Sequence, residues 1–126
     1  MGILLTILAL TLLYITSPIS IIYAIIKRIT KRNGINTYFI RMAIAFDKVG
    51  NVISSDLFND IMIKKEGYRF GLSEETISSV LGKNKRDNTL LWPGRLLSRV
   101  LDKIQRNHVE ISIENNITPG GYEIDK

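Results

Sequence analysis

Hydrophobic positions along this chain fall into two regimes. From Gly2 to Ile26 they run together without a single charge, and beyond Lys27 they recur in steps of three and four, broken by polar and glycine-containing stretches. A helix of the first 25 residues would reach roughly 37 Å, more than the ~30 Å hydrocarbon core of a bilayer. The first regime therefore predicts a membrane-spanning helix. Its polar groups are Thr6, Thr11, Tyr14, Thr16, Ser17, Ser20 and Tyr23; helical hydroxyls cost little in lipid because they return a hydrogen bond to a carbonyl one turn back. Pro18 removes one backbone bond and allows a kink near Tyr14. A cleaved signal peptide needs a basic start and a shorter apolar core, and no basic residue precedes Lys27. A buried core helix is the third option, but the roughly 100 residues that follow are too few to wrap so long an uncharged helix.

In the second regime, Asn33-Gly34 is a break, and Asn36 or Thr37 is expected to start a helix running to about Lys48. Ile35, Tyr38, Phe39, Met42, Ala45, Phe46 and Val49 draw one apolar stripe along it, expected to pack on the domain core, with the membrane interface as the alternative. Gly50-Asn51 interrupts that pattern. Ser55 or Asp56 caps a short helix through Leu57, Phe58, Ile61, Met62 and Ile63, with a strand over Ile61 to Lys64 as the alternative. Lys65 to Gly71 reads as a loop. Ser73 reads as an N-cap, with Glu74 and Glu75 complementing the dipole of a helix that carries Ile77, Val80 and Leu81 and ends near Gly82 as its C′ residue.

Lys83 to Asn88 is highly polar and reads as an exposed turn. Pro93 suits the first position of the last clear helix, whose apolar face is Leu96, Leu97, Val100, Leu101 and Ile104. The spacing of Arg95, Arg99, Lys103 and Arg106 lays a basic stripe along one side of it. Residues 107–114 alternate weakly and read as a short strand or a helix extension. From Asn115 a disordered tail is expected. The fold class that emerges is mainly α: an anchor with a basic collar over residues 1–32, a small helical domain over 33–114 and a tail over 115–126.

Charge sharpens this layout. The formal net charge is +5, but it is unevenly placed. Between Lys27 and Phe46 there are five basic residues (Lys27, Arg28, Lys31, Arg32 and Arg41) and no acid, between Asp47 and Gly82 acids outnumber bases six to four, and between Lys83 and Arg106 seven bases face two acids. Lys27, Arg28, Lys31 and Arg32 directly follow the apolar run, which by the positive-inside rule puts the C-terminal domain in the cytoplasm and the N-terminus outside. The same cluster would attract anionic headgroups. With no cysteine, disulfides and thiolate metal sites are excluded, and a reducing compartment fits.

Candidate chemistry is sparse. His108 is the single histidine, with no second His and no Cys to share a metal, and reads as a surface or helix-end residue. Leu81-Gly82-Lys83 fails as a phosphate loop: the upstream glycine is missing and no Ser or Thr follows the lysine. Ser78 and Ser79 have no evident partner base. Asn116-Ile117-Thr118 matches a glycosylation acceptor, which a cytoplasmic side makes uninformative. The expectation is no catalytic residue, no metal and no cofactor. Basic residues from Lys83 to Arg106, with Trp92 among them, would also suit a nucleic-acid backbone, although no motif accompanies them and an anionic leaflet explains a basic helix beside an anchor at least as well.

The stretch from Ala43 to Glu114 resembles a group of small phage and prophage proteins. The resemblance rests on Leu72 to Ser79 (LSEETISS), Gly82-Lys83, Leu101-Asp102, His108 and Ser112 to Glu114. It departs at Val109, where the group often has Cys, and at Leu72-Ser73, which replace an Asp-Pro. What it implies is provenance: a phage or prophage accessory protein acting at the host envelope or in a virion. The first expectation is a non-enzymatic, single-span protein of the host inner membrane. Its partners would be the lipid bilayer and another protein or itself, with Lys27, Arg28, Lys31, Arg32, Arg95, Arg99, Lys103 and Arg106 as contact residues. The alternatives are a lysis-related protein, holin-like or a holin regulator, a virion component associated with a membrane or ejected with DNA, and a nucleic-acid-binding module.

Overall fold

A computed structural model describes residues 1–32 and 34–114, so the expected tail lies outside the described residues. Six helices follow one another: α1 (Gly2–Thr30), α2 (Ile35–Ile53), α3 (Ser55–Ile61), α4 (Ile77–Arg86), α5 (Trp92–Ile104) and α6 (His108–Ile111). The protein is mainly helical, and among the described residues the only extended pairing is an isolated antiparallel bridge between Ile63 and Leu90. The chain divides into two compact units, Met1–Arg41 and Met42–Lys126.

In the first unit, α1 is long and apolar enough to cross a membrane, with a mean hydropathy of 2.0 over its best 18 residues and no buried side chain. The hydroxyls of Thr6, Thr11 and Thr16 each donate to the carbonyl four residues back, at 2.8–2.9 Å. The helix runs through Pro18 as one element. These features are compatible with a single membrane span.

The second unit is built around α4, against which α5 and α6 pack. Its core is small: Met62, Ile63, Phe70, Val80, Leu81, Leu90 and Val109, with Phe58, Tyr68, Ile77, Leu97 and Leu101 packed on it. Phe58 and Phe70 meet edge to face at 5.3 Å, the geometry that ring quadrupoles favour. Leu91 N–H donates to the Met62 carbonyl and Lys64 N–H to the Thr89 carbonyl, which brings the segment after α3 against the segment before α5.

Several local expectations are corrected. The second helix does not stop near Lys48; it continues through Gly50-Asn51 to Ile53. Asn51 is fully buried and its amide donates to the Leu72 and Glu75 carbonyls, while its oxygen accepts from Gly71 N–H. Since Asp47 and Asn51 turn one side of α2 toward the domain, the apolar stripe on its other side does not form core: Phe39, Phe46 and Val49 are exposed. The third helix starts from Ser54 rather than from a Ser55 or Asp56 cap, and no side-chain bond caps it.

The fourth helix starts at Ile77 rather than beside Ser73, with Thr76 as the N-cap that accepts from Ser79 N–H at 3.1 Å. It runs to Arg86, so Gly82 lies in mid-helix and Lys83 and Asn84 are buried rather than part of an exposed turn. Pro93 sits in the first turn of α5 as expected, and residues 107–114 contribute the one-turn α6.

Gly82 is required by packing. A Cβ there would run into the Val109 carbonyl of α6. In an exposed helix Gly→Ala stabilises by about 1 kcal/mol; here the sign reverses, because the obstruction is backbone. Gly82→Ala is expected to destabilise the domain by about 2 kcal/mol or more. Ser98 is the contrast: its buried hydroxyl has no hydrogen-bond partner among the described residues, so Ser98→Ala is expected to be neutral or to stabilise by up to about 1 kcal/mol. Thermal denaturation of the full chain in neutral detergent should rank the midpoints Ser98→Ala at or above wild type and Gly82→Ala well below it.

Candidate functional site

The eight contact residues expected from the sequence separate into two groups. Lys27 and Arg28 lie in the last turn of α1 and Lys31 is its C-cap. Arg32 follows in the left-handed region at φ 49°, and Gly34 has φ 72°; a non-glycine residue held there costs of order 1 kcal/mol. This reversal opens a cleft of ≈ 390 Å³ lined by Lys27, Arg28, Lys31, Gly34, Thr37, Tyr38 and Arg41. The Arg28 guanidinium lies over the Tyr38 ring, 4.4 Å from its centre, a cation–π contact that holds its orientation. Arg41 joins the site although it was not among the expected contacts, and Arg32 does not line the cleft.

The second group is on α5, where three sides of the helix do different work. Gly94, Leu97, Ser98 and Leu101 face the core, the small pair letting backbones approach: a Cβ on Gly94 would sit 2.5 Å from the Met62 carbonyl. Trp92, Leu96, Val100 and Ile104, spaced by four, form a second apolar stripe that is 70, 53, 47 and 80% exposed. Arg95, Arg99 and Lys103, also spaced by four, flank that stripe and are exposed. The expected apolar face is thus split, with only Leu97 and Leu101 serving the core. Arg106 falls beyond the end of α5, in the turn before α6, so the basic stripe of the helix consists of three residues rather than four.

A buried polar cluster was not anticipated. Glu75, expected to complement the helix dipole from the first turn, lies ahead of α4 and is fully buried. One carboxylate oxygen accepts from the Ser79 hydroxyl at 2.6 Å and pairs with Lys83 Nζ at 2.5 Å; the other accepts from the Tyr68 hydroxyl at 2.8 Å. Lys83 Nζ also lies 4.2 Å from the centre of the Tyr68 ring. Burial alone would lower the Lys83 pKa, but hydrogen bonds to Glu75 and Tyr68 outweigh it and raise it. Burial and the hydrogen bond to Glu75 raise the Tyr68 phenol.

Ser78 does acquire a neighbouring histidine. His108 Nε2 lies 3.2 Å from Ser78 Oγ, and His108 Nδ1 lies 2.9 Å from Gln105 Oε1. The serine hydroxyl, however, donates to Asp47 Oδ2 at 3.0 Å, while Asp47 Oδ1 accepts from Ile77 N–H. With its single proton directed to Asp47 and its side chain buried, Ser78 links α2, α4 and α6 rather than facing a substrate. An i, i+30 contact leaves no periodic trace in a sequence, and the Glu75–Lys83 pair joins a residue ahead of the Thr76 cap to the second turn of α4, a spacing that no helical repeat marks. The chain matches no family model, no curated protein and no solved structure.

Tyr68 and Lys83 hold their protons more tightly folded than unfolded. The stability they contribute is therefore fully present below the unfolded values, about pH 10, and is lost as pH rises through the raised folded values. Alkaline titration of the melting midpoint in neutral detergent should show a fall above about pH 10 that is shallower in Tyr68→Phe. At neutral pH, Lys83→Met should cost about 3 kcal/mol, because it leaves a buried carboxylate without its cation.

Proposed function

We propose that this is a non-enzymatic, single-span membrane protein of phage or prophage origin whose cytoplasmic domain works against the anionic surface of the host inner membrane. The observation that carries the reading is α5: an exposed apolar stripe, Trp92, Leu96, Val100 and Ile104, flanked by Arg95, Arg99 and Lys103. A helix with Trp and aliphatic residues on one side and cations beside them is suited to lie in the headgroup layer, apolar stripe down and charges toward lipid phosphates. Nucleic acid would use the cations but leave the aliphatic stripe in water.

Orientation follows from charge. The apolar run of α1 carries no charged side chain and the collar lies at its C-terminal end, so the positive-inside rule favours the domain on the cytoplasmic side, where the anionic lipids are. A non-enzymatic role is supported by the internal use of the reactive groups: the Ser78 proton and the Glu75 lone pairs are spent on packing. Protein partners remain compatible with this reading through the exposed stripe of α2.

Trp92 is the only tryptophan in the chain, so its emission reports on α5 directly. In the full chain reconstituted into bilayers with about a third anionic lipid, Trp92 is expected to be blue-shifted and quenched by brominated acyl chains. Arg95→Glu with Arg99→Glu should return the emission to that of exposed tryptophan, as should purely zwitterionic bilayers. Trp92 emission that stays solvent-exposed and unquenched in anionic bilayers would overturn the proposal, and a salt-sensitive change on adding DNA or RNA in its place would favour the nucleic-acid alternative.

A further inference from the structure

We propose that the cleft at the end of α1 is a binding site for a phosphate group, and that its natural occupant is the headgroup of an anionic phospholipid. Four cations converge on it: Lys27, Arg28, Lys31 and Arg41. No carboxylate lines it, and no acidic residue occurs anywhere in the first 46 positions. Among the described residues none of the four is in an ion pair. Concentrating four like charges is unfavourable unless counter-charge arrives from outside the chain. The lining also offers the Thr37 hydroxyl and the Tyr38 ring, which fixes Arg28 from behind.

These features select phosphate among anions. The Arg28 guanidinium lies over the Tyr38 ring with Nη1 donating to the Ala24 carbonyl at 3.5 Å, and a guanidinium so placed keeps further N–H groups in a planar fork suited to phosphate oxygens. Lys27 and Lys31 add point charges to the same lining. Thr37 and Tyr38 stand in the first turn of α2, a 19-residue helix, whose N-terminal dipole adds partial positive charge to the same place. The volume of ≈ 390 Å³ falls within the roughly 300–1,000 Å³ of small-ligand sites, which gives room for a glycerol-linked headgroup as well as for its phosphate.

The lipid source follows from position. Lys27 and Lys31 lie within about 8 Å along the helix axis of Ile26, the end of the apolar run of α1, the level at which headgroup phosphates stand beside a spanning helix. This step rests on α1 crossing a bilayer and is independent of α5. A phosphomonoester such as phosphatidic acid, with up to two negative charges, should be held more tightly than a diester, and a zwitterionic headgroup least of all.

The test is native mass spectrometry of the full chain released from neutral detergent, after titration with short-chain phosphatidic acid, phosphatidylglycerol, phosphatidylcholine or inorganic phosphate. The expected result is one retained phosphatidic acid, weaker phosphatidylglycerol and no retained phosphatidylcholine. Each of Arg41→Gln and Lys31→Gln should weaken retention about fivefold, with Arg41→Lys recovering most of it. Arg95→Gln with Arg99→Gln should leave retention unchanged, which separates this site from α5, just as loss of Trp92 burial with retention intact would sink only the α5 reading. Retention of inorganic phosphate at the same affinity as phosphatidic acid supports the phosphate site while assigning it a soluble ligand. Equal retention of phosphatidylcholine and phosphatidic acid, or retention unaltered in Arg41→Gln and Lys31→Gln, overturns the proposal.

Discussion

A carboxylate taken out of water costs several kcal/mol unless its lone pairs are answered, and Glu75 is fully buried. The answers come from three residues: Ser79 and Lys83 of α4, and Tyr68 from the loop before it. Ser79 Oγ in turn accepts from Glu114 N–H at 2.8 Å, so the same cluster reaches the last described residue. A core of seven buried apolar side chains is modest for a unit of this size, and such cores need specific polar contacts to select one arrangement. The Glu75 cluster meets that need: sliding α4 by one residue would strand the carboxylate.

Three asparagines extend the same logic to the loop. Asn84 amide donates to the Tyr68 and Val80 carbonyls and its oxygen accepts from Tyr68 N–H and the Thr89 hydroxyl. Asn59 pairs in both directions with the Phe70 backbone, and Asn51 does so with Gly71, Leu72 and Glu75. A side-chain amide can satisfy a backbone donor and an acceptor at once, which lets an irregular segment be buried without a strand partner. Phe70 enters the core on a backbone that Asn59 holds. The unit is thus held by polar stapling as much as by apolar area, and its remaining apolar side chains on α2 and α5 stay at the surface.

How much of this was legible in the sequence depends on the range of the interaction. The long uncharged run over Gly2 to Ile26, the mainly helical class, and a helix with Pro93 in its first turn all follow from local pattern and appear as expected. Gly82 was read as a helix end because glycine usually is one; its real constraint, the Val109 carbonyl 27 positions later, is tertiary. The polar run from Lys83 was read as a turn because buried lysine is rare; its partner Glu75 looked fully explained by a helix dipole. The stripe on α2 was periodic enough to be taken for core, but which side of a helix faces inward was decided by Asp47 and Asn51, two polar residues that hydrophobicity does not weigh. The collar was legible residue by residue, and the cleft was not, because Arg41 reaches it only through the reversal at Arg32 and Gly34.

The pairing of cations separates scaffold from surface. Lys83, Lys85 and Arg86 each have a carboxylate among the described residues, as does Lys48. Lys85 bridges Asp102 of α5 and Glu110 of α6, and Asp102 also accepts from Val109 N–H, so these charges close the three-helix contact around α4. Lys27, Arg28, Lys31 and Arg41, and on α5 Arg95, Arg99 and Lys103, have no carboxylate among the described residues. Arg32, Lys64, Lys65, Arg69 and Arg106 have no carboxylate among the described residues either, but none of them lines the cleft or lies on α5. Both remaining groups stand beside exposed apolar surface, one at the end of α1 and one along the Trp92 to Ile104 stripe. An unpaired cation on its own is ordinary solvation. Cations gathered twice beside exposed apolar side chains mark the two places whose charge no described acid answers, whereas Lys83 and Lys85, which tie the helices of the second unit together, each have an acid.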